Sequence, residues 1–185
     1  MSYKLRDLYR TLLETAAPSE VNIFDFDDTL VHTKSSIYLT TKEGKSLKLT
    51  SAEYAVYRPA EGDSFDFSDF ELVDGAQPIA HMILKLQYAI RNLGLNNVFI
   101  LTARSSSKPI SRFLDGLGVS GIRVVALGSS NPQHKVDVIR DEIIKRGVQI
   151  VRFYDDSAKN VAAVLAMRQD PTIPRSVQII ATRIK

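Results

Sequence analysis

The chain contains no cysteine, and that absence removes several kinds of protein at once. No disulfide can staple the fold, no thiolate can hold zinc, and no cysteine can serve as a nucleophile. The same absence fits a reducing compartment, so a cytoplasmic location is expected. Only three histidines occur, His32, His81 and His134, and their spacing makes no zinc site. No window approaches the roughly 18 consecutive apolar residues of a membrane span, and the opening residues hold no apolar run of signal-peptide length. A soluble protein with no membrane partner is expected. There is no Walker A sequence, no internal repeat and no low-complexity tract.

What is present is enough for a real core. Apolar residues make up 44% of the 185, which suits a single domain spanning 1–185 with a small insertion. Net charge is only +3, but it is unevenly placed. Residues 50–77 hold seven acidic side chains against one base, Arg58, while residues 78–185 hold sixteen bases against seven acids. The basic portion suits an anionic ligand. The acidic stretch would repel a long polyanion more than a small phosphate ester.

An amphipathic opening, Leu5, Leu8, Leu12 and Leu13, reads as a helix that Pro18 ends. Residues 21–26 then form a nearly all-apolar run, as expected of a strand buried on both faces of a parallel sheet. Further strands are expected at 98–101, 123–127, 149–154 and 177–181. Helical patterns at 78–93, 108–117, 134–146 and 158–169 separate them, with Gly94 and Gly147 as stops. This alternation predicts an α/β fold, a three-layer, doubly wound, Rossmann-like parallel sheet of about five strands. Residues 31–77 depart from the rhythm. Runs 37–40 and 46–49 flank Lys42-Glu43-Gly44-Lys45 and read as a β-hairpin. Thr50-Ser51-Ala52-Glu53 has capping-box spacing and predicts a short helix, followed by an Asp- and Phe-rich loop over 64–70.

Ligands of open parallel sheets bind beyond the carboxyl ends of the strands. Strand one ends in Asp25-Phe26-Asp27-Asp28-Thr29, strand two in Thr102-Ala103-Arg104, and strand four in Asp155-Asp156, while Lys135 opens the helix after strand three. Crowded carboxylates need a hard divalent cation, and magnesium takes oxygen ligands. Such a cation neutralises a phosphate ester so that an aspartate can attack it. A hydroxyl at Thr102 and an ammonium at Lys135 suit the charge that shifts onto the equatorial oxygens. With a turn after Asp25, one of the carboxylates of Asp25 and Asp27 can attack while the other gives a proton to the departing alkoxide and later takes one from water.

At these residues the chain resembles the haloacid dehalogenase (HAD) superfamily. Phe24-Asp25-Phe26-Asp27-Asp28-Thr29-Leu30 resembles its first motif, Thr102 matches the hydroxyl of the second, Lys135 the lysine of the third, and Asp155-Asp156 the acidic pair of the fourth. The match spans about residues 21–165 and keeps the family's order. It implies a HAD-like fold and a phosphohydrolase with Asp25 as nucleophile and Asp27 as acid/base. It also implies Mg²⁺ held by the Asp25 carboxylate, the Asp27 backbone carbonyl and Asp156, with Asp155 holding a metal-bound water. The hairpin resembles the family's flap, and the segment to residue 77 a minimal cap. Dehalogenase members lack the second aspartate, so Asp27 favours phosphate transfer. Thr102-Ala103-Arg104 with Asp155-Asp156 is also similar to the phosphatase half of phage polynucleotide kinase-phosphatases, where Ser-Gly-Arg occupies the second motif. That likeness implies Arg104 as a bidentate phosphate ligand. Thr29 is a further candidate substrate-binding residue, and a nucleotide, a nucleic-acid end or another small phosphorylated compound is the expected substrate.

Other readings compete. A receiver-type signalling module uses similar residues but in another order, acidic pair first and lysine last. A catalytically silent HAD-like module binding nucleic acid or protein is the alternative function, and the complete motif set argues against it. His32 and His134 read as exposed residues and His81 as a structural histidine. Phe65, Phe67, Phe70, Tyr54 and Tyr57 are expected to pack the insertion rather than stack on a base. Ser105-Ser106-Ser107 offers hydroxyls to a second phosphate or is plain loop. Arg152 is either an edge residue or paired with an acid. Oligomeric state is not legible.

Overall fold

The computed structural model describes residues 19–50, 53–54, 57–71, 73 and 75–185. The expected opening helix, and most of the short helix expected after Thr50, lie outside these residues. In chain order the strands of the first half are β1 (Glu20–Phe24), β2 (Val31–His32), β3 (Ile37–Thr40), β4 (Ser46–Leu49), β5 (Ser64–Asp66) and β6 (Gln77–Pro78). Then follow helix α1 (Ala80–Leu93), β7 (Val98–Thr102), α2 (Lys108–Gly116), β8 (Arg123–Ala126) and α3 (Pro132–Arg146). The chain closes with β9 (Ile150–Asp155), α4 (Ala158–Ala166) and β10 (Gln178–Arg183).

The five apolar runs pair as one all-parallel sheet in the order β10-β9-β1-β7-β8. β1 lies at the centre, with Phe24 opposite Ile100 on one side and Tyr154 on the other. Strand order reverses between β1 and β9, where a doubly wound sheet opens a crevice. Side-chain alternation sends Val21 and Ile23 to one face, where they meet Val136, Ile139 and Ile143 of α3 and Val161 and Val164 of α4. Phe24 and Phe26 meet Met82 and Leu86 of α1 and Ile110 and Leu114 of α2 on the other. The result is three layers, and each fully buried Phe or Leu contributes about 1.5–3 kcal/mol. Gly147 ends α3 as expected, with φ of 66° and its N–H bonded to the Ile143 carbonyl at 3.1 Å.

Three local expectations need correction. The Asp- and Phe-rich stretch is not all loop, because Ser64–Asp66 forms β5 and pairs antiparallel with β3. Phe65 lies opposite Leu39 and packs edge-on to Tyr54 and Tyr57, so a half-buried aromatic between two exposed neighbours turned a loop into an edge strand. The expected hairpin is therefore two strands of a three-stranded sheet, β4-β3-β5. The helix expected from residue 78 begins at Ala80, because Gln77–Pro78 pairs with Val31–His32 and ties the two ends of the insertion together. The capping box is formed, Thr50 N–H to Glu53 Oε2 at 2.7 Å and Glu53 N–H to Thr50 Oγ1 at 3.2 Å. Among the described residues, no helix is long and apolar enough to cross a membrane.

Candidate functional site

The three central strands deliver their last residues to one edge. Asp25 follows β1 directly, and its N–H extends the ladder to the Tyr154 carbonyl at 2.8 Å. Thr102 and Asp155 are the last residues of β7 and β9. After Asp25 the chain turns sharply. The Leu30 N–H returns to the Phe26 carbonyl at 2.9 Å and the Asp28 N–H reaches the Val31 carbonyl at 2.8 Å. Asp28 adopts φ of 52°, the left-handed region that a short polar side chain tolerates best after glycine. Lys135 is placed by the first turn of α3, where Asn131 caps through its Oδ1 to the Gln133 N–H at 3.0 Å and Pro132 opens the helix.

Lys135 Nζ donates to Asp25 Oδ1 at 2.6 Å and to Asp155 Oδ2 at 2.7 Å, joining residues 110 and 20 positions apart in the chain. All three side chains are buried. Asp156 completes the group: one carboxylate oxygen from each of Asp25, Asp155 and Asp156 lies within 4.8 Å of the others. Three carboxylates thus crowd together beside one ammonium, which bonds two of them. Burial pushes the Asp25 carboxyl well above its ordinary range; Lys135 opposes this, while the charges of Asp155 and Asp27 add to it. Asp156 is pushed up to about 6 by burial, then by Asp155 and Asp28. For Lys135, burial works against the ammonium, but the Asp25 and Asp155 carboxylates more than offset it and hold the group charged. Asp25 and Asp156 are therefore the two carboxyls at which a negative charge is least compensated within the protein.

An all-oxygen, doubly anionic donor set of this kind could hold a hard divalent cation. Asp155 is the least suited of the three to bind it directly. Its Oδ1 accepts from the Ser157 N–H at 2.8 Å and Asn160 Nδ2 at 3.0 Å, and its Oδ2 from Lys135 and Asn160 Nδ2 at 3.0 Å. Those bonds use the four lone-pair sites of a carboxylate. Asp155 holds Lys135; Asp25 and Asp156 remain for a cation.

The Asp27 carboxylate is not part of this group. It turns to Arg104, whose Nε donates to Oδ2 at 2.8 Å and Nη2 to Oδ1 at 2.7 Å, and to Thr33, whose Oγ1 donates to Oδ1 at 2.8 Å. Arg104 Nη2 also donates to Ser35 Oγ at 3.1 Å. Thr102 Oγ1 accepts the Arg104 N–H at 3.2 Å. Thr29 is fully buried, and its Oγ1 accepts the Asp156 N–H at 3.0 Å. Its hydroxyl thus faces the Asp156 backbone rather than the cleft, a structural tie between the ends of β1 and β9.

The structure brings Asp25, Lys135, Asp155 and Asp156 together, sets Thr102 beside Arg104, and gives Asp27 to Arg104. Sequence reasoning missed Thr33, Ser35, Ser157 and Asn160, all small polar residues in loops or a first helical turn. Of these only Ser157 carried a signal, as a helix cap. His32 lies exposed, Nδ1 3.2 Å from Asp28 Oδ1, and Arg152 pairs with Glu20 at 2.9 Å. His81, expected to be structural, is exposed on α1. Tyr54, Tyr57, Phe65 and Phe67 pack on one another. No protein-family model, curated protein or solved structure matches the chain.

Proposed function

We propose that the protein is a Mg²⁺-dependent phosphomonoester hydrolase of the HAD kind, acting through an aspartyl-phosphate on a nucleotide, a nucleic-acid end or another small phosphorylated compound. One observation carries this reading: Asp25, Lys135 and the Asp155-Asp156 pair, scattered in the chain, meet at the strand ends with more negative charge than the protein itself balances. Mg²⁺ held by Asp25 and Asp156 would neutralise the phosphate and orient it toward the nucleophile.

The chain's own groups suit the remaining tasks. Lys135 fixes Asp25 Oδ1, leaving Oδ2 to attack phosphorus. As the new P–O bond forms, the bond from phosphorus to the ester oxygen breaks, and that oxygen takes a proton from Asp27. Water then attacks the phosphorus of the aspartyl-phosphate and gives a proton to Asp27; inorganic phosphate leaves and the Asp25 carboxylate returns. Two of the three Lys135 donors are spent on Asp25 and Asp155, and the third is left for a phosphate oxygen. Thr102 already accepts a bond from Arg104, so its own proton is available to donate. The three-stranded insertion reads as a flap and small cap, and the cysteine-free composition fits a cytoplasmic enzyme.

The test is phosphate release from an aryl phosphate ester with and without Mg²⁺. Asp25→Asn is expected to abolish release while leaving the thermal transition in place. Undiminished turnover by that variant would end the proposal.

A further inference from the structure

The side chain of Arg104 is 1% exposed, and a guanidinium that reads a substrate dianion has to be reachable from the cleft. Its fork is engaged within the protein. Nε and Nη2 hold the two oxygens of Asp27, Nη2 also holds Ser35, and Cζ lies 5.5 Å from the centroid of the Phe26 ring. Two parallel N–H···O bonds fix the plane of a carboxylate as well as its position, which a single point charge cannot do. Thr33 adds a third bond to this carboxylate, the second on Oδ1. Arg104 and Thr33 thus take three of the roughly four lone-pair sites of this carboxylate, which fixes its orientation. Thr33 and Ser35 lie in the stem from β2 to β3, so the insertion is anchored on the same carboxylate.

We propose that Arg104 and Thr33 are positioning residues that act on the reaction through Asp27, holding its carboxylate in one orientation, and that Arg104 does not grip the substrate's phosphate. The inference rests on the phosphatase reading and adds a division of labour to it. Lys135, Thr102 and the cation site would handle the phosphoryl group, while Arg104 and Thr33 would govern only what Asp27 does for the leaving oxygen.

The experiment compares an alkyl phosphate, whose leaving oxygen needs a proton, with 4-nitrophenyl phosphate, whose leaving group departs without one. The ratio kcat/KM is read, because it covers only the steps through departure of the leaving group. Arg104→Lys keeps the charge and loses the fork. It is expected to lower kcat/KM for the alkyl ester by about 30-fold or more and for the nitrophenyl ester by less than about threefold, general acid catalysis contributing about 10²–10⁴. The inhibition constant of inorganic phosphate should stay within about twofold, and Asp27→Asn with Arg104→Lys should be no slower than Asp27→Asn alone. Thr33→Val, which removes one hydroxyl from a half-buried loop, should show the same ester selectivity at about five- to tenfold, and it carries the test if Arg104→Lys does not fold. A tenfold or greater rise in the phosphate inhibition constant, equal losses on both esters, or additive losses in the double variant would overturn the positioning role. If the unaltered protein releases no phosphate from either ester, the phosphatase reading has failed and this inference falls with it. Turnover by the unaltered protein together with any of the preceding results sinks the inference alone.

Discussion

Replacing Lys135 by methionine keeps the length of the side chain and removes its ammonium. In the structure that ammonium is the shared partner of two buried carboxylates, at 2.6 and 2.7 Å. Methionine leaves Asp155 with its bonds from Ser157 and Asn160, but Asp25 loses the ammonium that it bonds at 2.6 Å. Removing one partner of a buried pair typically costs about 3–5 kcal/mol, because an uncompensated charge stays behind. In a chain of this length each kcal/mol moves the melting temperature by about 2–4 °C, so Lys135→Met should melt on the order of 10 °C lower at neutral pH. Differential scanning calorimetry without divalent cations reads this directly. The deficit should shrink on acidification, because protonating Asp25 removes the charge that was left alone. Mg²⁺ should recover part of it by supplying positive charge at the same place, and so should Asp155→Asn in the Lys135→Met background. A variant that melts within about 1 °C of the unaltered protein at neutral pH would refute the charge balance argued for this cluster.

Other consequences follow from the same geometry. Asp156 has a folded-state carboxyl at about 6 against an ordinary 3.8, so the folded protein holds this proton more tightly and, without cation, Asp156 contributes less stability as pH rises from about 4 through about 6. A cation needs the ionised form, so the melting shift that Mg²⁺ produces should grow through the same window; a shift equally large at pH 4 and pH 7 would contradict it. Thr29→Val removes the acceptor of the part-buried Asp156 N–H and should cost about 1 kcal/mol in chemical denaturation while weakening the Mg²⁺ shift; an unchanged midpoint would show that the hydroxyl is not needed there. Asp28→Gly should be at least as stable as Asp28→Ala by about 1 kcal/mol, because only glycine adopts φ of 52° without steric cost; the reverse order would show that the turn is not strained.

Much of this architecture is legible in the chain because buried parallel strands have to be continuous apolar runs. Residues 98–101 were readable for that reason, and the whole of Val98–Thr102 is buried. The ends of the helices were readable where Gly147 supplies a left-handed cap. The site residues were readable because the strand ends are where a doubly wound sheet opens, and because carboxylates, a hydroxyl and a lysine gather there. What was not legible depends on contacts rather than on periodicity. Strand β5 is three residues long, and nothing local separates Ser64–Asp66 from a loop until Phe65 meets Leu39. The bonds from Thr33 and Arg104 to Asp27 span 6 and 77 positions, and a small hydroxyl in a loop has no signature before the fold closes. Thr29 belongs to a motif but serves the backbone of Asp156, 127 positions away. A motif specifies which residue stands at a place; only packing decides whether its side chain faces the cleft or the protein.

The central claim is that the Asp25 carboxylate carries the phosphoryl group for part of each turnover. Acid-quenching the protein during Mg²⁺-dependent turnover and reducing it with borohydride converts an aspartyl-phosphate to homoserine, which peptide mass spectrometry can locate. Homoserine is expected at position 25, present only when both phosphate ester and Mg²⁺ are supplied. Steady phosphate release with Asp25 unmodified, or the label at Asp27, Asp155 or Asp156 instead, would contradict it.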